Sequence, residues 1–584
     1  MTPRPDIAPA VAAELLAGAP ARLAKKLDAE PAMAEAWTWS REGDTWTVAT
    51  AKGETVALHT SGGLVARADA VRCSCLLSPR CLHVIAVIAR LATAEPEPVE
   101  APPPAAPPPE TRPVDLDRKA AAGNAFRVGA SLLAVGADGA GAALLAELLR
   151  AIHGCRLAGA HRVAAAASRV ARWIQELHGD RPEFSLSGLT DDLRELLTAA
   201  HIVSTAAEVD PAWIGTARRE YAPAGHLRLY GVFTEAVVAR GGYAGVVTYL
   251  TDGEGRLFTR GEVAPGEVDR AVAAYDAAAG IGDAVLPHRD LCRAGLFVSD
   301  ATISADGRLG AGASVKAVRA QSPSLWTDDA VAGLWATPLS AQLDRMGKAE
   351  DRPVDARPAG WDLAFIDGCV LGVVDGALLL ETSPAPNGGN IPLRLVPGSA
   401  HERLRYRENL ATLGRMSGSR VRCVGRIRPD EPRTIALLAV GPLESSDLVL
   451  PAPMLGRANA GLDLIHGAPG SVQPSPGHQT PPTSDPLASL RRRIQRVSRG
   501  GISSLPPEAA REIERESAVL EQRLMGGAAA VLRDLVAAAA PPDRTFTGVR
   551  RAADPVPFAC VWLRAARYEV AARRTIARER WLMA

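Results

Sequence analysis

The chain lacks a long apolar run and has a formal net charge of only +1, and its first residues do not predict a secretory signal. No stretch of about 18 apolar residues, the length that a membrane-spanning helix needs, occurs in its 584 residues. Its 66 basic residues balance 65 acidic ones, so attraction to nucleic acid or a membrane must come from a local patch. The first ten residues, MTPRPDIAPA, are polar and begin no apolar h-region, which favours a cytoplasmic location over secretion.

Cysteine is also scarce, and its distribution is uneven. Of the eight cysteines, three fall within the nine residues 73–81 and the other five are scattered. In a long chain without a secretory signal, a tight group of cysteine and histidine is typical of a metal site and not of a disulfide framework.

The known catalytic signatures are missing: the sequence has no H-E-x-x-H, no G-x-S-x-G and no Walker A motif. Gly136–Gly141 is predicted to be a turn or a site of close helix packing, because no Gly-Lys-Ser/Thr follows it. Cys155, with histidines at 153 and 161, has no identifiable third group to orient a thiol–imidazole pair. Asp300 and Asp306 are predicted to lie in a loop and a turn. The sequence therefore predicts a protein that is not an enzyme.

Two low-complexity stretches divide the chain. The first is rich in proline and the second mixes glycine, proline and small polar residues, so neither can bury enough apolar surface to fold alone. The pattern around them predicts a multidomain α+β protein. Its regions are a zinc-finger domain (1–93), a Pro-rich linker (94–118), a helical domain (119–225), a β-rich α+β region (226–345), a small β-barrel (361–443), a flexible linker (467–486) and Arg-rich helices (487–584).

The region 361–443 has an informative order of elements. Three strand-like runs, at Leu363–Val374, Ala377–Thr382 and Ile391–Val396, precede a helical stretch at Glu402–Met416. Two further strand-like runs follow, at Arg420–Arg428 and Arg433–Val440. Three strands, a helix and two strands is the order of an OB-like barrel, although other small β-barrels fit the same pattern.

The segment VRCSCLLSPRCLH predicts a metal site formed by Cys73, Cys75, Cys81 and His83. Thiolates and a neutral imidazole are the ligands that Zn²⁺ prefers in closed tetrahedral structural sites. Four protein ligands leave no open coordination position, so one structural Zn²⁺ is expected and catalysis by it is not. His59 is an alternative ligand, but a lone histidine on a strand is more often exposed to solvent.

Local patterns place these ligands between a strand and a helix. The runs Thr45–Ala51, Thr55–Thr60 and Leu64–Ala70 predict a β-meander before the cysteines. Ser78 is predicted to cap the following helix, with Pro79 at its first position. The helix then offers an apolar stripe for a core, formed by Val84, Ile85, Ile88 and Leu91.

The CxC and CxH pairs, with the β-meander before them and the apolar helix after them, resemble the SWIM zinc-finger family. The resemblance covers residues 45–92 and implies a ββα module whose ligands are Cys73, Cys75, Cys81 and His83. Proteins of this family are thought to bind DNA or other proteins. The overall layout also resembles larger bacterial proteins that begin with such a finger, often encoded near MoxR-type AAA+ ATPases and von Willebrand A proteins. Those two classes are therefore expected partners by resemblance alone.

Local basic patches leave DNA open as a second ligand class. Arg72 and Arg80 flank the cysteines, although residues 1–93 are close to neutral overall. In the C-terminal region, eighteen arginines face ten acidic residues, and the candidates for phosphate binding there are Arg491, Arg492, Arg493, Arg574 and Arg578. The expected function is thus a non-catalytic interaction protein that binds proteins or DNA. The alternative is an enzyme or nuclease accessory with its active site in residues 119–443.

Overall fold

The computed structural model is a mixed α+β protein with sixteen helices and several sheets among the residues that it describes. Those residues are 4–17, 20, 23, 26, 27, 33–93, 111–382, 392–466, 485–505, 510–539 and 554–582, without 183, 218, 240, 283, 285, 313, 351, 430 and 445. Most of both predicted linkers, 94–110 and 467–484, lies outside the described residues. None of the described helices combines the length and apolarity needed to cross a membrane.

The N-terminal module contains a four-stranded antiparallel sheet in the order β2-β3-β4-β6 and a smaller parallel sheet in the order β5-β1-β7. Its elements are β1 (Asp6–Ile7), α1 (Pro9–Ala17), β2 (Thr38–Glu42), β3 (Thr45–Ala49), β4 (Thr55–His59), β5 (Leu64–Val65), β6 (Val71–Cys73), α2 (Leu82–Ile88) and β7 (Ala92–Thr93). Alternate residues of β3 and β4 are buried, as the period-2 pattern predicts for a sheet with one face on a core.

The predicted meander is correct for its first two strands and wrong for its third. Leu64–Val65 pairs with Asp6–Ile7 in the smaller sheet, and Val71–Cys73 takes the place beside β4 instead. Gly62 and Gly63 both have positive φ, so the chain turns sharply enough there to leave the sheet. The strand Thr38–Glu42 was not predicted, because its burial does not alternate and four of its five residues are exposed.

Helices follow in the next region. They are α3 (Leu116–Val135), α4 (Ala142–Leu157), α5 (His161–His178), α6 (Leu186–Thr205) and the short α7 (Pro211–Ile214). The two-residue strand β8 (Arg112–Pro113) precedes α3 and pairs with β9 (Glu208–Val209), which lies between α6 and α7. The first two of these helices are separate because Gly136 has a φ of 82° and ends α3. Gly136–Gly141 is therefore a turn between helices, as the sequence predicts.

A five-stranded antiparallel sheet comes next, in the order β12-β11-β10-β13-β14. The elements are β10 (Tyr221–Ala239), β11 (Tyr243–Thr251), β12 (Leu257–Pro265), α8 (Val268–Asp276), α9 (His288–Leu291), β13 (Ala294–Ser304), β14 (Lys316–Pro323), α10 (Asp329–Ala336) and α11 (Leu339–Glu350). A turn that begins at Asp252-Gly253 connects β11 to β12, and Gly253 has a positive φ there.

The strands of 361–443 form a hydrogen-bonded ring. They are β15 (Leu363–Val374), β16 (Ala377–Thr382), β17 (Leu393–Pro397), β18 (Arg420–Ile427) and β19 (Thr434–Pro442), with α12 (Tyr406–Gly414) between the third and fourth. Pairing runs β15-β16-β17-β19-β18 and returns to β15, and β17 and β19 are parallel. The predicted order of elements is confirmed, and β20 (Ala458–Asn459) adds a short strand to β19.

The sheet and the ring are joined by buried aromatic and polar contacts. Phe233 stacks on Tyr249 at 4.6 Å between ring centroids, and both belong to an apolar cluster that also contains Phe365 of the ring. The Asn459 side-chain oxygen accepts a hydrogen bond from the Thr234 amide at 2.8 Å. Phe365 of the ring is 3% exposed and therefore cannot offer a stacking platform for bases.

The C-terminal helices complete the earlier helical region. They are α13 (Ala488–Gly500), α14 (Ala510–Gln522), α15 (Gly526–Ala538) and α16 (Pro555–Leu582). Their apolar faces and those of α3–α6 contribute to one continuous hydrophobic core. Inside it, Thr190 donates a hydrogen bond to Ser498 at 3.2 Å, and the Trp562 indole N–H donates to the Ile494 carbonyl. Two regions separated by the sheet and the ring in sequence therefore share one helical core.

Candidate metal centre

The four predicted ligands come together where β6 passes into α2. Cys73 ends β6, Cys75 follows in the connecting loop, and Cys81 and His83 lie at the start of α2. Their ligand atoms all lie within 4.8 Å of one another, an arrangement able to hold one metal ion. No other group of three or more such side chains occurs in the parts of the chain that the structure describes. The exposed His59 lies outside it and contacts Thr45 instead.

Hydrogen bonds from backbone amides to serine hydroxyls and to a carbonyl hold the loop in this shape. The Ser74 hydroxyl accepts from the Thr55 amide at 2.8 Å, which ties the loop to the neighbouring strand. The Ser78 hydroxyl accepts from the Cys73 amide at 3.1 Å, and the Ser78 amide donates to the Cys75 carbonyl. The Cys73 sulfur and the His83 Nδ1 atom are thereby placed 3.7 Å apart.

The predicted helix cap is wrong. Ser78 and Pro79 lie in the loop, and α2 begins only at Leu82 with Cys81 as its capping residue. The Ser78 hydroxyl is already bonded to the Cys73 amide, whereas the Cys81 sulfur accepts from the Val84 amide at 3.5 Å. A thiol or thiolate can accept from a free amide at a helix start just as a hydroxyl does. One side chain therefore serves both as candidate ligand and as helix cap.

The three sulfurs have different acidities. Burial raises the pKa of Cys73, and it raises the pKa of Cys81 to about 12. Burial also acts on Cys75, but there hydrogen bonds, chiefly from the Leu77 amide and the neighbouring thiols, outweigh it and lower the pKa. Amide donors directed at sulfur favour the thiolate, which is the form that binds metals. Since burial opposes ionisation at the other two sulfurs, a bound cation would be needed to hold all three as thiolates.

The α2 helix anchors the ligands to the small core of the module. Val84, Ile85 and Ile88 are at most 2% exposed, which confirms most of the predicted apolar stripe, and Leu91 beyond the helix is 9% exposed. The Trp37 ring packs edge-on against the His83 imidazole at 5.9 Å between centroids. The ligands at the helix start thus belong to the same unit as the sheet beneath them.

Two leucines project from the loop between the ligand pairs. Leu76 is fully exposed and Leu77 is 59% exposed, whereas Cys81 is buried. Arg72 and Arg80, the predicted phosphate-binding residues beside the site, are also exposed. Neither arginine pairs with a carboxylate among the described residues. Along the chain, two exposed leucines are thus flanked by two exposed arginines that form no ion pair within the described residues, and we call these four residues the loop tip.

Most of the C-terminal arginines proposed for phosphate are already paired with carboxylates. The pairs are Arg491–Glu569, Arg493–Glu516, Arg574–Glu350 and Arg578–Asp344. The Arg493 side chain is only 4% exposed. Arg492 is exposed and has no carboxylate partner within the described part of the chain. Most of these arginines are thus engaged in ion pairs with carboxylates of neighbouring helices. This weakens the argument for DNA binding there.

The other candidates from the sequence lie apart from this centre. Cys155 is buried in the helical core, where it donates to the Ala121 carbonyl and burial raises its pKa to about 11. No contact between its thiol and a histidine is found among the described residues. Asp306 accepts a hydrogen bond from Ser304 in the turn that the sequence predicts there.

Comparison with protein-family models, with curated proteins and with solved structures finds no match to this chain. The resemblance to SWIM zinc fingers therefore depends on the ligand positions, their spacing and the strand–loop–helix path that carries them.

Proposed function

We propose that Cys73, Cys75, Cys81 and His83 hold one structural Zn²⁺ in a finger of the SWIM type. Tetrahedral zinc with Zn–S near 2.3 Å and Zn–N near 2.0 Å places neighbouring S and N ligands about 3.6 Å apart. The Cys73 Sγ–His83 Nδ1 distance of 3.7 Å agrees with that geometry. The N–H···S hydrogen bonds described above support thiolate ligands.

The metal would supply rigidity and not chemistry. Four protein ligands complete the tetrahedral coordination of zinc, which leaves no position for a substrate or a water molecule. Its ligands join the end of β6 to the start of α2, so a bound ion would fix the loop that carries Leu76 and Leu77. A rigid loop loses little conformational entropy when a partner binds it.

We further propose that the loop tip docks on a protein partner, and the exposure of Leu76 and Leu77 is the observation that carries this function. An apolar pair of this kind resembles the central anchor of a protein interface, where apolar side chains enter a pocket. Arg72 and Arg80 on either side suit a pocket bordered by carboxylates. By resemblance, the partner class is an AAA+ ATPase or a von Willebrand A protein.

The ring in 361–443 is proposed to be an OB-like barrel. The order β15-β16-β17-β19-β18, the parallel β17–β19 pair and the helix after the third strand all support that assignment. Since Phe365 is buried against the five-stranded sheet, the barrel is proposed as a packing module and not as an oligonucleotide platform.

The test is capture of partners from the native host by three purified forms of the full chain, each with and without nuclease. The forms are the wild type, the double variant L76S/L77S and the control L157S, which alters a leucine that is 77% exposed on α4. We expect a specific AAA+ or von Willebrand A protein to be retained by the wild type and the control but lost from the double variant, whatever the nuclease treatment.

Two other outcomes would contradict the proposal. Equal capture by all three forms would show that the two leucines do not contribute to partner binding. Capture that disappears with nuclease, and with the variant R72Q/R80Q, would make DNA the ligand of the finger. The alternative of an active site in residues 119–443 stays a prediction that these measurements do not address.

A further inference from the structure

A cleft of about 850 Å³ lies where the helical core, the five-stranded sheet and the C-terminal helix meet. Its walls come from α5, α6 and α7, from the turn after β13, from the segment after α11 and from α16. This volume is in the range of pockets that hold small organic ligands. The cleft shares no residue with the metal centre or the loop tip.

The lining of the cleft has an excess of positive charge. Among the described residues that line it are nine arginines and five carboxylates, an excess of four positive charges. Six of the arginines form ion pairs with these carboxylates, and they are Arg162, Arg169, Arg194, Arg219, Arg308 and Arg574. Such pairs hold the walls in a fixed arrangement before any ligand arrives.

The other three arginines, Arg352, Arg357 and Arg567, have no carboxylate partner among the described residues. Arg352 and Arg567 are exposed to the solvent of the cleft. Arg357 is half-buried, lies over the Trp361 ring at 4.6 Å and donates only to the backbone carbonyls of residues 350 and 352. Three arginines thus face one cavity without forming an ion pair with any carboxylate in the described part of the chain.

The electrostatic environment of Arg357 agrees with this picture. Burial lowers its pKa and the positive charge of Arg574 acts in the same direction, whereas the carboxylates of Glu350, Glu195 and Asp362 raise it. An anion entering the cleft would relieve that repulsion. Guanidinium groups bind phosphate oxygens through two parallel hydrogen bonds, which makes clustered arginines well suited to phosphate.

We infer that this cleft binds a small ligand carrying two or more phosphate groups, held by Arg352, Arg357 and Arg567. The half-buried Trp213, whose ring already carries the Arg162 guanidinium at 3.8 Å, gives one wall an aromatic surface. A ligand of nucleotide size would fit the volume and the charge together. This inference is independent of the proposed zinc finger.

Calorimetric titration of the full chain with ATP, with pyrophosphate and with a short single-stranded oligonucleotide tests the site. We expect ATP or pyrophosphate to bind, and to bind more weakly as salt rises. R352Q and R567Q should each weaken binding about ten-fold, since each removes a charged hydrogen-bond donor. R407Q, which alters an exposed arginine of α12 outside the cleft, should leave the affinity unchanged.

The variants alter exposed, unpaired side chains, so the fold should persist, and circular dichroism checks that it does. The inference is overturned if neither small phosphate compound binds the wild type at millimolar concentration. It is also overturned if R352Q and R567Q bind as tightly as R407Q. If only the oligonucleotide binds, the ligand of the cleft is a nucleic acid and not a small phosphate compound.

Discussion

Gly136 and Gly501 approach so closely that a Cβ atom on Gly136 would lie 2.3 Å from the Gly501 nitrogen. Gly136 ends α3, and Gly501 ends α13 with a φ of 70°. Around them, the amides of Ala137 and Asp138 donate to the carbonyls of residues 498 and 499. Two turns far apart in sequence are thus joined backbone to backbone, and glycine is what permits their approach.

Replacing Gly136 with alanine should therefore destabilise the helical core. The added methyl group meets backbone atoms that cannot rotate away, and the positive φ adds strain, so we expect a loss of about 2–4 kcal/mol. The thermal unfolding midpoint measures it. Gly141→Ala is the matched control, because nothing lies within 4 Å of its Cβ position and its φ is −69°. Equal midpoints for the two variants would show that the contact does not constrain the fold.

Cys81→Ser should release the metal and unfold the N-terminal module. Structural zinc contributes roughly 10–16 kcal/mol in small fingers, far more than the small core of this module can replace. We expect about one zinc per chain in the wild type and close to none in the variant, measured by atomic absorption, with loss of amide protection in β3 and β4.

Cys155→Ser provides the control for that measurement, because it alters a buried thiol of the helical core and leaves the cluster intact. It should retain the full metal content. A Cys81→Ser protein that keeps both its zinc and its amide protection would contradict the assignment of the site.

The contact between the sheet and the ring includes an ion pair in which the carboxylate is buried and the guanidinium is about one-third exposed. Arg426 donates to both oxygens of Glu235, at 2.8 and 2.7 Å, and also pairs with Asp362. Glu235→Gln leaves the guanidinium with one carboxylate fewer in a mostly buried place. We expect a local loss of about 2 kcal/mol, seen as roughly 30-fold faster hydrogen exchange in β10 and β18.

Glu262→Gln is the control for the buried pair. Its partner Arg270 lies 3.4 Å away, and both side chains are about two-fifths exposed. Solvent screens such pairs, so the effect should stay below about 1 kcal/mol. Similar exchange rates in the two variants would mean that the buried pair does not hold the sheet and the ring together.

Stability should fall as the pH drops from 6.5 towards 4, because of His288. This fully buried imidazole accepts from or donates to the Thr248 hydroxyl at 2.7 Å, and its Nε2 atom has no partner among the described residues. Burial, helped by the charge of Arg260, lowers its pKa to about 4. The unfolded chain binds the proton first, so the contribution present above pH 6.5 is lost on acidification, up to about 3 kcal/mol.

His288→Asn tests that prediction, since an amide can keep the hydrogen bond to Thr248 without titrating. The melting temperature of the wild type should fall more steeply between pH 6.5 and 4 than that of the variant. Acid sensitivity of the metal site is common to both proteins and cancels in the comparison. Parallel curves would show that His288 does not titrate on unfolding.

The sequence predicted local features well where they depend on neighbouring residues, such as the bounds of a strand or the ligands of a metal site. The ring strands lie within a few residues of their predicted bounds, and the four metal ligands fall within eleven residues of sequence. The Ser78 cap was wrong because the pattern cannot show that this hydroxyl is already bonded to Cys73. Periodicity also identifies an apolar helix face without saying what covers it, so the shared core of α3–α6 and α13–α16 was not predicted.

That shared core imposes an order on synthesis. When α6 leaves the ribosome, α3 and α5 can already pack on it, but the C-terminal helices that complete the core are still some 280 residues away, between residue 205 and residue 488. At about 5–20 residues per second, roughly 15–60 s pass before they appear. Until then the part of the core that the C-terminal helices cover stays exposed, so we expect the nascent chain to need chaperones and C-terminal truncations to aggregate.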